Sequence, residues 1–194
     1  MLENILTRKG LSSKIKITLK TIISAGIIAL AVILPQLVHI TLGASGGMQW
    51  LPMYLPILIG GCILGIKWGV CISIAAPLFS FLLTSLAGNP MPSVTRLPFM
   101  IAELAVFALV SGAFSKKIDE NSFVAFPAVL FAAVSGRIFF LLLSVIFQSV
   151  SSLDVATVWT QIQTGFAGLL LQIVLIPLII IGLKHFMNKD KNND

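Results

Sequence analysis

The sequence predicts an all-α integral membrane protein, a six-transmembrane-helix bundle with both termini cytoplasmic. Three observations predict it. Of the 194 residues, 57% are hydrophobic and only 10% charged, where a soluble domain carries about 25% charged residues. Mean hydropathy is +1.03. The basic residues fall almost entirely at segment ends, on alternate turns of the chain.

A membrane span needs about 20 apolar residues, and six segments qualify: 18–40, 50–66, 68–86, 97–114, 123–147 and 163–186. The second and third are separated only by the stretch from Gly65 to Gly69, a tight helical hairpin. Residues 1–17 form a basic cytoplasmic segment, 18–187 a single membrane domain and 188–194 a polar tail. The basic start runs into the first span without a small-residue cleavage site, so that span is read as a helix and not as a signal peptide. Pro35 and Pro177 each remove a helix hydrogen bond and predict kinks in the first and last spans.

Six spans place both tails on one side, together with the 67 and 116–117 turns. Eleven of the 13 Lys and Arg then share that side, from Arg8 and Lys9 through Lys67, Lys116 and Lys117 to Lys191. Arg96 faces the other way, and Arg137 lies within a span. The positive-inside rule makes the basic side cytoplasmic, and the net charge of +6 reads as topology, not nucleic-acid binding. The outer loops are 41–49 (Gly/Ser-rich), 87–96 (Gly-Asn-Pro-Met-Pro) and 148–161 (Ser/Thr-rich, with Asp154). Their composition predicts irregular backbone, which at membrane depth must line a cavity or lie within protein.

Glu103 and Arg137 are the only charges deep inside apolar segments. A charge in hydrocarbon costs several kcal/mol and usually marks a partner or a wet cavity. Glu103 lies two turns into the fourth span, about 8–10 Å below Arg96 at 1.5 Å per residue. Contact with Arg137 on the fifth span would make either a ligand site or a buried ion pair that fixes packing. His39, with Gln36 three residues before it, sits near the outer end of the first span. Trp50 and Tyr54, four apart, supply either an interfacial belt or an aromatic wall for a planar ligand. Asn89 and Gln172 add directional hydrogen-bonding groups. Ala25 and Ala29 form a small-xxx-small pair suited to helix docking, and Gly61, Gly65 and Gly69 a second such series for internal packing.

Other chemistry has no support. Cys62 and Cys71 form no CxxC and stand near no His, so neither a metal site nor a disulfide is expected. There is no phosphate-binding G-x-x-x-x-G-K-[ST] loop and no H-E-x-x-H. No cofactor is implied. A small intramembrane enzyme with Glu103 as acid/base lacks a second catalytic group in the sequence. A standalone carrier lacks a visible inverted repeat of three spans.

The stretch LPMYLPILIGGCILGIKWG at 51–69 resembles the second and third spans of the substrate-binding S components of energy-coupling factor (ECF) vitamin transporters. So do Ala76-Pro77-Leu78 with Leu83-Thr84 and the Gly/Pro loop after them, PFMIAEL at 98–104 ending at Ser111-Gly112, and Ser135-Gly136-Arg137. The similarity covers residues 18–185, with Tyr54 where related sequences often carry His. It implies a vitamin-binding membrane subunit of a bacterial plasma membrane, not an enzyme, with a pocket near the outer face. It also implies partners: a transmembrane coupling subunit with two ATPases, docked on Ala25 and Ala29. In that frame Arg137 would neutralise a ligand carboxylate or phosphate, pantothenate being the favoured example, and Glu103 would accept hydrogen bonds. Arg96, Asn89, Trp50, Tyr54, His39, Gln36 and Gln172 complete the expected substrate site.

Overall fold

The computed structural model describes residues 12–147 and 155–189 and is helical throughout, with no strand among those residues. The elements are α1 (Ser13–Trp50), α2 (Tyr54–Leu64), α3 (Ile66–Leu86), α4 (Leu97–Ala113), the short α5 (Ser115–Glu120), a 3₁₀ turn (Ser122–Val124), α6 (Ala125–Phe147) and α7 (Val155–Lys189). Among the described residues, five segments are long and apolar enough to cross a membrane: Ser13–Gly43, Ser45–Leu64, Ile66–Leu86, Ser122–Phe147 and Val155–Phe186. Leu97–Ala113 is apolar but shorter, at 17 residues. The chain is therefore a helical protein of multi-pass membrane type.

The surface agrees with that environment. Leu30, Ile33, Phe79, Leu82, Phe131, Ile138 and Leu178 face outward, whereas Ser73, Ser80, Thr84, Glu103, Ser111, Arg137, Ser144 and Gln172 are buried. Water would not tolerate so continuous an apolar exterior on a monomer, but lipid does.

Several boundaries differ from the sequence expectation. Residues 41–49 are not an irregular loop: helix continues to Trp50, broken only at Gly43, whose φ of 72° and ψ of −171° are non-helical. The non-helical backbone inside α1 falls at Gly43, and Pro35 lies within the helix. Trp50 is the last residue of α1 and lies within the apolar segment Ser45–Leu64 instead of opening it. Leu51 adopts the left-handed conformation (φ 48°) and donates its N–H to the Gly47 carbonyl, which ends the helix. The α2–α3 break is the single residue Gly65 (φ 82°), and α3 resumes at Ile66, so no longer separator exists. Residues 155–161, expected in the third outer loop, are the first two turns of α7. Asp154 and the rest of that loop lie outside the described residues, as do residues 1–11 of the basic N-terminal segment. Ser13 to Ile17, expected before the first span, already belong to α1.

The core is organised around α4, which packs on α2, α3 and α6. Its buried residues are Glu103, Leu104, Phe107, Ala108, Ser111 and Gly112, a stripe at the helical period. The facing stripe of α6 is Ala125, Ala128, Val129, Ala132, Ala133, Gly136, Arg137 and Phe140, small enough to bring the two backbones close. Glycines make the other close approaches. A methyl group on Gly69 would stand 3.0 Å from the Gly61 Cα, and one on Gly61 would collide with Ser111 Oγ. A methyl on Gly112 would lie 2.7 Å from the Ile66 backbone nitrogen.

The ends of the bundle differ chemically. Lys184 Nζ donates to the Asp119 carbonyl at 2.6 Å, and Gly65 lies against Ser115. Those contacts gather Lys67, Lys116, Lys117 and Lys184 at one end. Arg96 stands at the other, where α4 begins.

Gly112→Ala forces the end of α4 against the backbone of the α2–α3 break at Gly65 and Ile66. Its melting temperature in detergent is expected to drop, by the equivalent of about 1–3 kcal/mol of overpacking. Gly26→Ala, with open space around its Cβ, is expected to keep the wild-type value or exceed it. Equal melting temperatures for both variants would remove the steric argument.

Candidate functional site

α4 and α6 place their two charges side by side. Glu103 and Arg137 are 1% and 7% exposed, and Arg137 Nη1 stands 3.1 Å from Glu103 Oε1. The contact is ionic without the alignment of a hydrogen bond, since Glu103 Oε1 has no hydrogen-bond partner. The other carboxylate oxygen, Oε2, accepts a 2.6 Å hydrogen bond from the Tyr54 hydroxyl. The Arg137 guanidinium carbon lies 5.2 Å from the centre of the Tyr54 ring, a cation–π distance. Tyr54 therefore serves both charges, one through its hydroxyl and one through its face.

The support extends a layer deeper. The Phe107 ring meets Tyr54 edge-on, with centroids 4.9 Å apart and planes at 75°. Phe107 occupies the space a side chain at position 136 would need: a Cβ on Gly136 would collide with Cε1 and Cδ1 of that ring. The Gly136-Arg137 pair thus combines the absence of a side chain with the longest cationic one, on adjacent positions of α6.

Above the charges lies a cavity of about 410 Å³, within the roughly 300–1,000 Å³ range of small-molecule sites. Its wall comes from the C-terminal part of α1 (Pro35, His39, Gly47, Met48), the link into α2, Ser80, the 89–93 loop, the start of α4, Phe140 and Gln161. Four of the chain's six methionines, Met48, Met53, Met91 and Met100, line it. Arg137 and Gln161 line this space, and Arg137 Nε and Nη2 and Gln161 Nε2 are buried without a hydrogen-bond partner.

Two rims are tied down by different elements. Ser80 Oγ and Thr84 Oγ1 both donate to the Met91 carbonyl, at 3.0 and 3.1 Å, and the Met91 N–H donates back to Thr84 Oγ1 at 2.7 Å. The loop is thereby folded onto α3. On the opposite side, Gln172 Nε2 donates to the carbonyls of Trp50 and Leu51 at 3.0 and 2.9 Å. Gly165 and Gly168 of α7 leave room for that segment; a methyl on Gly168 would lie 2.8 Å from the Trp50 backbone carbons.

Among the residues expected from sequence, Glu103, Arg137, Arg96, Asn89, Tyr54 and His39 line the cavity. Three do not. Trp50 is an exposed residue at the end of α1, because the left-handed Leu51 breaks the spacing that would have paired it with Tyr54. Gln172 is spent on backbone carbonyls as a brace. Gln36 lies outside the cavity wall, with its Nε2 buried and unpartnered. Ala25 and Ala29 are exposed on the outer surface of α1. The sequence reading missed Ser80, Thr84, Gln161 and the methionines. The one available signal was that Met48, Met53, Met91 and Met100 flank the Gly/Pro-rich outer segments. No cluster of metal-ligating side chains occurs among the described residues. Compared with protein-family models, curated proteins and solved structures, the chain matches none.

Removing one member of a buried pair strands the other, at about 3–5 kcal/mol, whereas replacing both with apolar residues is often neutral. Arg137→Leu is therefore expected to lower thermal stability in detergent more than Glu103→Leu combined with Arg137→Leu. If the double variant is the less stable of the two, the pair is not coupled. Tyr54→Phe deletes a hydrogen bond to a carboxylate and is expected to cost about 1.5–3 kcal/mol in the same assay.

Proposed function

We propose that the chain is a membrane-embedded receptor that captures a vitamin-type small molecule from outside a bacterial plasma membrane. It hands the molecule on to ATP-driven partner subunits. The observation that carries the reading is the buried Arg137, paired with Glu103 at the wall of a single-molecule-sized cavity and left with two unpartnered donors. A buried cation with spare hydrogen-bonding capacity is costly as pure packing and useful as a ligand anchor.

The rest of the reading follows from the sequence resemblance and the charge distribution. Six spans, with Leu97–Ala113 as the short fourth, put both termini on the lysine-rich end, which the positive-inside rule makes cytoplasmic. The cavity then opens toward the outer face. No nucleotide-binding loop is present in the sequence, so energy would come from an ATPase pair acting through a transmembrane coupling subunit. The exposed Ala25 and Ala29, whose small side chains permit close helix contact, are the proposed docking surface. Binding is reversible, without bond making, so the chain itself is not an enzyme.

Native mass spectrometry of protein purified in detergent from cells grown in rich medium is expected to show one bound small molecule per chain. Protein that is empty as isolated, and still empty after incubation with a vitamin panel, would remove the receptor reading. Ala25→Leu with Ala29→Leu is expected to keep ligand binding and to lose cellular uptake. Undiminished uptake would move the docking surface elsewhere.

A further inference from the structure

The receptor reading leaves the chemical class of its ligand open, and the charge balance of the cavity wall restricts it. The charged side chains on that wall are Glu103, Arg96 and Arg137, with His39 counted as neutral. Arg137 is balanced by Glu103, whose carboxylate stands 3.1 Å away. Arg96 is not balanced: its side chain has no hydrogen-bond or ion-pair partner among the described residues. The wall therefore carries one positive charge in excess.

That charge is accessible. Arg96 is partly exposed, and none of its guanidinium nitrogens is among the buried unpartnered atoms, unlike those of Arg137. It also stands on the face of α4 that meets the cavity. Arg96, Met100 and Glu103 line the space at spacings of four and three, the repeat that brings side chains onto one helix face. The Cα–Cβ bonds of a helix tilt toward its N-terminus, so Arg96 projects away from Glu103. Asn89 and Ser93 of the preceding loop line the same cavity and are exposed, which adds neutral hydrogen-bonding groups.

Arg96 and Glu103 lie seven residues apart, about 10 Å along the helix axis. An anionic group at Arg96 is thus held off the Glu103 carboxylate, whereas one at Arg137 would share a buried site with it and be repelled. A phosphate monoester brings a charge of about −1.5 to −2, more than the wall balances. A carboxylate brings one, in the planar form that a guanidinium pairs with two-on-two. The wall between Arg96 and Glu103 on α4 is Met100, and Met53, Met91 and Phe140 add further apolar surface. Thioethers adapt to irregular apolar outlines and pack well on rings.

We propose that the site binds an amphipathic monocarboxylate. Its carboxylate pairs with Arg96 at the loop end of the cavity, and its apolar body lies against the methionines toward the balanced Glu103–Arg137 pair. This rests on the receptor reading, and it moves the anion anchor expected at Arg137 to Arg96.

The test is isothermal titration of the full-length protein in detergent. The probes are 4-phenylbutyrate, indole-3-butyrate and 4-cyclohexylbutyrate, each alongside its primary amide, with 4-phenylbutyl phosphate as the more highly charged anion. At least one acid is expected to bind, and to do so about tenfold to 100-fold more tightly than its amide; this comparison needs no protein variant. Arg96→Gln is expected to erase the difference while leaving the amide's affinity and the melting temperature unchanged, because Arg96 braces no other side chain. Amides that bind as tightly as their acids would overturn the proposal, as would an acid preference that survives Arg96→Gln. Tighter binding of the phosphate than of any acid would overturn the monocarboxylate class. Silence from every probe would overturn that class too and leave the receptor reading standing if native mass spectrometry finds a bound molecule. An empty protein would remove the receptor reading itself.

Discussion

The constraint on which the rest of the structure depends is the burial of one acid and one base between α4 and α6. Desolvating two charges costs several kcal/mol per ion, and their mutual attraction repays this only with good geometry and further hydrogen bonds. Each neighbour can be read as part of that repayment. Tyr54 hydrogen-bonds Glu103 and lays its ring beside Arg137. Phe107 holds the Tyr54 ring edge-on. Gly136 leaves the space that Phe107 fills. Tyr54 comes from α2, Glu103 and Phe107 from α4, and Gly136 and Arg137 from α6, so three helix faces carry the arrangement.

The same constraint explains the contrast between the inside and the outside of the bundle. In lipid, every backbone group must be satisfied within its own helix. Helix therefore persists where composition alone would favour a loop. Residues 41–49 show this directly: a segment rich in Gly and Ser, poor helix formers in water, remains helical to Trp50 with a single interruption at Gly43. Where the chain does turn, at Leu51 and at residues 87–96, side chains from other helices collect the freed groups. Gln172 takes the Trp50 and Leu51 carbonyls, and Ser80 and Thr84 take Met91.

That pattern defines what was legible in the sequence. Apolar length gave the helices, because spans are set by bilayer thickness and not by fine propensity. The two buried charges were legible because a charge within an apolar segment has no bland location. Tyr54, His39, Asn89 and Arg96 were legible as groups at the outer ends of spans, where polar chemistry meets the cavity. What was not legible depended on contacts far apart in the chain. Gln172 reaches residues more than a hundred positions earlier, and nothing local distinguishes a bracing glutamine from a ligand-binding one. Trp50 failed for the opposite reason: a purely local event, the left-handed Leu51, reset the phase on which its pairing with Tyr54 relied. The methionines were overlooked because each is unremarkable alone, and only folding brings four of them to one wall.

The distribution of satisfied and unsatisfied polar groups separates scaffold from site. Several buried hydroxyls bond to a carbonyl three or four residues back on their own helix, as Ser73, Ser111 and Ser144 do. Such groups need nothing from elsewhere and carry no directional demand. Buried polar atoms without partners are a small minority in folded proteins, and each calls for an explanation. Among the described residues there are seven, and four of them, on Glu103, Arg137 and Gln161, belong to residues that line the cavity. A bundle selected for stability alone would have no reason to concentrate that deficit around one cavity. Apolar residues of similar volume would pack there at lower cost. The deficit is intelligible when the missing partners arrive with a ligand.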